Sequence, residues 1–418
     1  MNKVTSSSLA SVLLVALAFV LGFAEFILIG IVPDVSEALN ESLTLIGDIV
    51  GFYALACAVA TPFVTLFAGR FRRFSVLVVL LIVFCAGNLL TLFADSYCVL
   101  LISRILAAST SGALMAIAMT FVPDIVDEKN VARVLSFVFA GFSVSSVLGV
   151  PLGALVAEAW SWKAAYAAVF ALGLVVALAL WFVLPRTGGL DVPATVREQL
   201  HLLRDKRVLF ASAMIVCGAA STYVFYTYLT PILESIMLLS LWEVSVVLLM
   251  FGAACVASNL MSGFVAQRWG IKGLVLVFIV QAILLALTAA TVPVVSVGLA
   301  NIMLVGLTMY VMNSSVQMLF LTVAKNDYPC ALTFSSSMHP MSFNAGIALG
   351  SFVGGVVVNT SGLLATGPSG AFLALGAAVI SVGLTRIIGR ATQKGEKDEK
   401  DSSGTCIDRT SEPQRLRG

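Results

Sequence analysis

The chain has 418 residues, 60% hydrophobic and 11% charged, with a formal net charge of +2. Soluble domains carry about 25% charged residues, so this composition cannot cover a water-exposed surface and excludes an ordinary soluble enzyme or a basic nucleic-acid-binding domain. It reads as a polytopic membrane protein, in which the placement of Lys and Arg says more than their sum.

The first apolar run, about residues 9–32, holds one charge, Glu25, and is long enough to cross a bilayer. Its length, the lone Lys3 before it, and its continuation into Pro33-Asp34 without a small-residue cleavage site distinguish it from a signal peptide. Further runs follow at about 45–67, 75–94, 98–121, 133–156, 163–184, 208–232, 240–262, 272–291, 293–320, 333–358 and 369–389. One span over 272–320 would be about 75 Å long, so the chain must turn near Pro293. The expected fold is all-α, with twelve transmembrane helices in two pseudo-symmetric six-helix bundles, residues 1–184 and 208–390. The linker, 185–207, reads either as a short amphipathic surface helix or as a plain solvated connection. Residues 391–418 are too polar to form a core and are expected to be a disordered tail.

Charge asymmetry orients the spans. With the N-terminus inside, the cytoplasmic face collects Lys3, Arg70, Arg72, Arg73, Lys129, Arg133, the basic residues of the linker, Arg268, Lys272, Lys325 and everything basic from Arg386 onward. The outer face receives Lys163 alone, beside Asp34, Glu37, Glu41, Asp95, Glu158, Glu234 and Glu243. This is the positive-inside pattern, and both termini fall in the cytoplasm. Of the seven cysteines, Cys57, Cys85, Cys217 and Cys255 lie in apolar runs, and no CxxC or metal-ligand spacing occurs, so neither a disulfide framework nor a metal site is expected.

Charges inside spans are costly and point to a protein interior or a wet cavity. Glu25 is the candidate proton carrier, since a carboxylate in a low-dielectric site can alternate between neutral and charged forms. Arg104 stays charged, so it must find a carboxylate, an anion or carbonyls, and its candidate role is to hold or release Glu25. Asp48, just after Gly47, reads better as a helix-start cap or a solvated surface carboxylate. Tyr223, Tyr226, Asn313, Gln317, His339 and Asn344 are candidate cavity residues; each also fits an ordinary packing or helix-joining role. Gly141, Gly149, Pro151 and Gly153 in the fifth span, with Gly346 and Gly350 in the eleventh, are expected to form sliding surfaces between the bundles. Arg70, Arg72 and Arg73 after the second span, and Arg268 after the eighth, mark paired cytoplasmic gate loops.

Several motifs together carry a resemblance. Ala24-Glu25-Phe26 through Gly30 to Pro33, Arg104 with Gly112, the glycine tract followed by Trp162-Lys163, Tyr226-Thr227-Tyr228-Leu229-Thr230-Pro231, and Phe343-Asn344-Ala345-Gly346 through Gly350 occur in order on the right spans. Over residues 8–390 the chain resembles the major facilitator superfamily, in particular the bacterial drug:proton antiporter branch with the arabinose- and sugar-efflux-type permeases. The resemblance places Glu25 on the family's acidic position and implies proton-coupled export of a sugar, drug or metabolite. It departs from the family where Gly69 and Gln267 stand in place of the carboxylate of the gate loops, and Ala108 in place of an intermediate glycine.

The reading is therefore a secondary active transporter, not an enzyme, with no cofactor, working by alternating access as a monomer in a bacterial inner membrane. Its partners are a small-molecule substrate, protons and the bilayer. The alternative is a proton-coupled importer or uniporter on the same scaffold. HExxH, Gly-x-Ser-x-Gly and paired hydrolase carboxylates do not occur.

Overall fold

The computed structural model describes residues 3–68, 71–184, 202–328 and 332–407. Among these, twelve helical spans are long and apolar enough to cross a membrane. With no water in the hydrocarbon to satisfy backbone groups, helices are the form such apolar runs must take.

The first bundle comprises α1 (Lys3–Gly30), the short α2 (Val32–Leu39), α3 (Leu43–Ala68), α4 (Arg73–Leu92), α5 (Tyr97–Met119), the single turn α6 (Val122–Ile125), α7 (Glu128–Ala159) and α8 (Trp162–Val183). The second comprises α9 (Lys206–Tyr226), α10 (Leu229–Ser235), α11 (Leu241–Arg268), α12 (Gly270–Thr291), α13 (Val295–Thr308), α14 (Asn313–Asp327), α15 (Leu332–Ser361) and α16 (Thr366–Ile407). The expected turn near Pro293 lies between α12 and α13. The seventh and tenth spans are each interrupted: α9 gives way to α10 around Thr227-Tyr228, and α13 to α14 across residues 309–312. At the second break, Ser258 of α11 accepts a hydrogen bond from the Tyr310 backbone N–H at 2.8 Å, replacing an intrahelical bond that the break removes.

The last helix, α16, runs to Ile407. Residues 408–418 and the linker residues 185–201 lie outside the described residues.

The glycine tracts do not form the surfaces between bundles. Gly141, Gly149 and Gly153 stand at helical spacing on one face of α7, and that face meets α1 of the same bundle. A Cβ at Gly141 would lie 2.7 Å from the Val15 carbonyl oxygen, and one at Gly153 would lie 2.6 Å from Ile27 Cγ1. Gly346 and Gly350 of α15 meet α9 in the same way, against Ala219 and the Ala220 carbonyl oxygen. Glycine thus lets each bundle's central helix approach its neighbour, and the relation repeats in the two halves. Pro151 is buried within α7.

The bundles meet along α3–α15 and α7–α11. Taking the acidic face as the outer one, their named contacts lie toward the outer end. Thr44 bonds Asn359 at 3.0 Å, Thr230 bonds the Ile29 carbonyl at 2.9 Å, and Phe52 packs edge-on to Phe352 at 4.9 Å. The buried apolar core follows the same division. One cluster runs through the first bundle and the outer half of the second, including Ile29, Tyr228, Ile232 and Ala348, whereas the inner half of the second bundle holds a separate cluster around Ile215, Phe278 and Phe320. On that assignment of faces the apolar core is continuous across the outer end and divided at the inner end.

Candidate transport site

In the first bundle the centre is Arg104, fully buried on α5. Its guanidinium donates to Asn88 Oδ1 on α4 at 3.1 Å and to the Ala24 carbonyl oxygen on α1 at 2.6 Å. It is also sandwiched between the rings of Tyr53 and Tyr166, each 4.8 Å away. A cation buried this deeply needs hydrogen bonds and polarisable faces on every side, and four helices supply them, α1, α3, α4 and α8. Tyr53 is itself fixed by Ser111 at 2.9 Å.

Glu25 follows Ala24 directly and lies within electrostatic reach of Arg104, Tyr53, Cys57 and Tyr223. Glu25 and Arg104 form no ion pair, because the guanidinium's directed bonds go to Asn88 and Ala24. The two charged candidates are therefore brought together, but through the backbone of residue 24 and through space. Sequence reasoning missed Asn88, Tyr53 and Tyr166; a lone Asn in the apolar run of α4 is the one signal that could have found a partner for the arginine.

The second bundle faces this site with aromatic rings and amides. Tyr226 stacks on Phe251 at 5.0 Å, Tyr223 meets Tyr226 edge-on at 5.4 Å, Tyr310 stacks on Phe343 at 5.6 Å, and His339 stacks on Phe343 at 6.0 Å. Tyr223 and Tyr226 are buried and back this array, while Tyr310, Phe343 and His339 are partly exposed. Asn313 donates to Asn259 at 3.4 Å and Asn344 to the Pro340 carbonyl at 3.1 Å, yet each side-chain oxygen is buried without a partner, as is His339 Nε2. Buried polar atoms left unpaired are places where a ligand or water completes the bonding. Gln317, one turn beyond Asn313, is half-buried on α14. Phe251, Tyr310 and Asn259 were not singled out from sequence, since they stand in runs that read as ordinary apolar or polar helix.

At the inner ends, the ion pairs found among the described residues each lie within one bundle. Arg73 donates to the Thr120 carbonyl at 2.9 Å and pairs with Asp124 at 3.3 Å. Asp124 thus supplies a carboxylate that the gate-loop motif lacks, from the α6 turn about fifty residues downstream. In the second bundle Arg207 pairs with Asp205 at 2.7 Å and also with Asp327; burial works against the Asp205 charge, but the hydrogen bonds from Arg207 hold its carboxyl below the usual range. Arg72 is exposed ahead of α4, and exposed Arg268 lies over the Trp269 ring at 5.7 Å beside exposed Gln267. Gly69 and Arg70 lie outside the described residues. At the outer end Lys163 pairs with Asp95 at 2.6 Å. Asp34 is half-buried there, and burial, with the charges of Glu37 and Glu158 nearby, raises its carboxyl above the usual range.

Asp48 is not a cap. Ser42 caps α3, accepting from the Leu45 N–H at 3.2 Å, and Asp48 lies one turn further in, on the face that meets the second bundle. Among the described residues no cluster of metal-ligating side chains is found, and Cys57, Cys85, Cys98, Cys217 and Cys255 are free.

Comparisons with known proteins agree with this architecture. Residues 14–338 match the sequence profile described as Major Facilitator Superfamily. The Bacillus subtilis protein named "Uncharacterized MFS-type transporter YtbD" is 32% identical over 389 residues, 93% of this chain and 98% of its own length. The Escherichia coli K12 "Inner membrane transport protein YdhP" is 29% identical, covering 82% of this chain and 87% of its own. Among solved structures, a bacterial homologue of the human lysosomal transporter Spinster, in an inward-facing and occupied conformation, superposes with a TM-score of 0.73 at 15% identity, over 92% of this chain and 97% of that one. At that identity the likeness establishes the fold.

Proposed function

The chain belongs to the major facilitator superfamily, and on that premise we propose that it is a proton-coupled exporter of a small organic solute. Alternating access of a small solute across the membrane follows from the family and the fold; the proton, the direction and the solute class are the further reading. The observation that carries it is the bonding of Arg104. Because Asn88, Ala24 and two tyrosine rings already satisfy the guanidinium, Glu25 is free to lose and regain a proton without leaving Arg104 orphaned.

In the cycle, Glu25 takes a proton in the outward-facing state as solute leaves, and the bundles rock about the central site. The proton then departs inward as new solute arrives. Ionised Glu25 draws on the Arg104 field, and the Ala24–Arg104 bond transmits any movement of α5 to the backbone beside Glu25. Solute must favour one protonation state over the other, because equal affinity for both would move nothing. The aromatic and amide wall of the second bundle, without a fixed charge, suits a solute that is uncharged or weakly amphiphilic and has a flat face. The resemblance to antiporters supports export, a bacterial inner membrane and cytoplasmic termini.

Reconstituted vesicles with an imposed pH gradient test the reading. Wild type accumulates solute against its gradient, and Glu25→Gln binds solute but does not accumulate it. Full accumulation by Glu25→Gln would refute proton carriage at this residue.

A further inference from the structure

A second acidic group stands apart from this site, on the outer seam between the bundles. The ring of Tyr228, at the α9–α10 break, is wedged between α3 and α15: a Cβ at Gly47 would lie 2.6 Å from its hydroxyl oxygen, and one at Gly354 would lie 2.8 Å from its Cε2. Asp48 of α3 reaches the same spot from the first bundle. A Cβ at Gly355 would lie 2.8 Å from Asp48 Oδ1 and 3.2 Å from the Tyr228 hydroxyl. Both oxygens are buried and neither has a hydrogen-bond partner, although Asp48 as a whole is partly exposed. Tyr228 is fully buried.

The groups facing Asp48 offer no cation. From α9–α10 the titratable neighbour is Tyr228, from the start of α5 it is Tyr97, with Glu41 beyond it, and α15 presents Gly355 and, further out, Asn359. None of the described ion pairs involves Asp48. Oδ1 of a charged Asp48, buried against Gly355, has no counter-ion and accepts no hydrogen bond from the groups around it, so the charge is poorly solvated on that side. A neutral carboxyl removes the charge and brings an O–H of its own to the pair.

We propose that Asp48 is a second proton-binding site, on the seam where the bundles close, and that the outer end closes around Asp48 only when it is neutral. Ionised Asp48 is expelled to water and holds the seam open; a proton arriving from outside neutralises it, and Tyr228 then seats between Gly47 and Gly354. Within the proton-coupled reading, on which this inference rests for its place in the cycle, the device prevents return to the inward-facing state before a proton has arrived. The seam itself does not depend on Glu25.

The test follows the outer distance by electron-spin measurement between labels at Ala38→Cys and Ser361→Cys. Both sites are exposed, one on each bundle, and the seven native cysteines are replaced in the full-length chain. As pH rises from mildly acidic to mildly alkaline, the open population grows in the parent chain. Asp48→Asn and, as a second neutral replacement, Asp48→Ser hold it at least about tenfold lower at alkaline pH, the effect of one pKa unit. Asp48→Glu restores the pH response and Glu25→Gln retains it. Opening of both neutral variants with the parent midpoint would overturn the proposal, as would loss of the response in Glu25→Gln alone or a parent chain with no response. Because the readout is a distance, it stands whether or not Glu25→Gln still accumulates solute.

Discussion

The two bundles share one packing plan and divide the chemistry. In both, a glycine-lined helix lies against the central helix of its own half, α7 on α1 and α15 on α9, with close approaches of similar size. At the centre of the first bundle stands a buried cation with a carboxylate beside it; at the centre of the second stand stacked rings and half-satisfied amides. In the function proposed above, the residues that differ between the halves divide proton handling from solute contact.

Breaking the charged half has the largest effect. Arg104→Ala leaves Asn88 Oδ1 and the Ala24 carbonyl without their donor and opens a gap between Tyr53 and Tyr166. A loss of about 3 kcal/mol or more is expected, read as a drop in the thermal unfolding midpoint in detergent. The shared plan gives the next effect: Gly141→Ala and Gly346→Ala each force a methyl against backbone or a neighbouring Cβ, and each is expected to cost about 1–3 kcal/mol. Unequal costs would show that the helix pairing is not equivalent in the halves.

Phe343→Ala removes the ring that Tyr310 and His339 stack on. It is expected to weaken solute binding about tenfold, near 1.4 kcal/mol, while leaving the pH dependence of binding unchanged. A shifted pH profile would move proton handling into the second bundle. The smallest effect belongs to Asp34. Its folded-state carboxyl binds protons more tightly than the unfolded one, so this contribution is fully present below the unfolded value and is lost as pH rises through the folded one. Asp34→Asn therefore stabilises slightly at neutral pH, and thermal unfolding should find that advantage gone in acid.

Span number, the turn near Pro293 and the two-bundle fold were legible in the sequence because hydrocarbon admits little besides helices of a set length. Glu25 and Arg104 were legible for a related reason, since a charge in an apolar run is too costly to be incidental. The orientation of the glycine faces was not, because periodicity shows that residues share a face and not which neighbour that face meets. The placement of Asp48 was not legible for the same cause: Ser42 takes the cap, and the groups beside Asp48 come from the α9–α10 break and α15, far along the chain. Asp124 escaped notice because the carboxylate completing Arg73 is reached through tertiary packing rather than motif spacing.

Competition of solute and proton at Glu25 is read by proton release on solute binding in weakly buffered detergent solution. A panel of pentoses, hexoses, nucleosides and lipophilic cations is added to wild type and to Glu25→Gln. Release is expected from wild type with one ligand class and none from Glu25→Gln, which still binds that ligand. Equal release from both, or binding to wild type with no release, would contradict it.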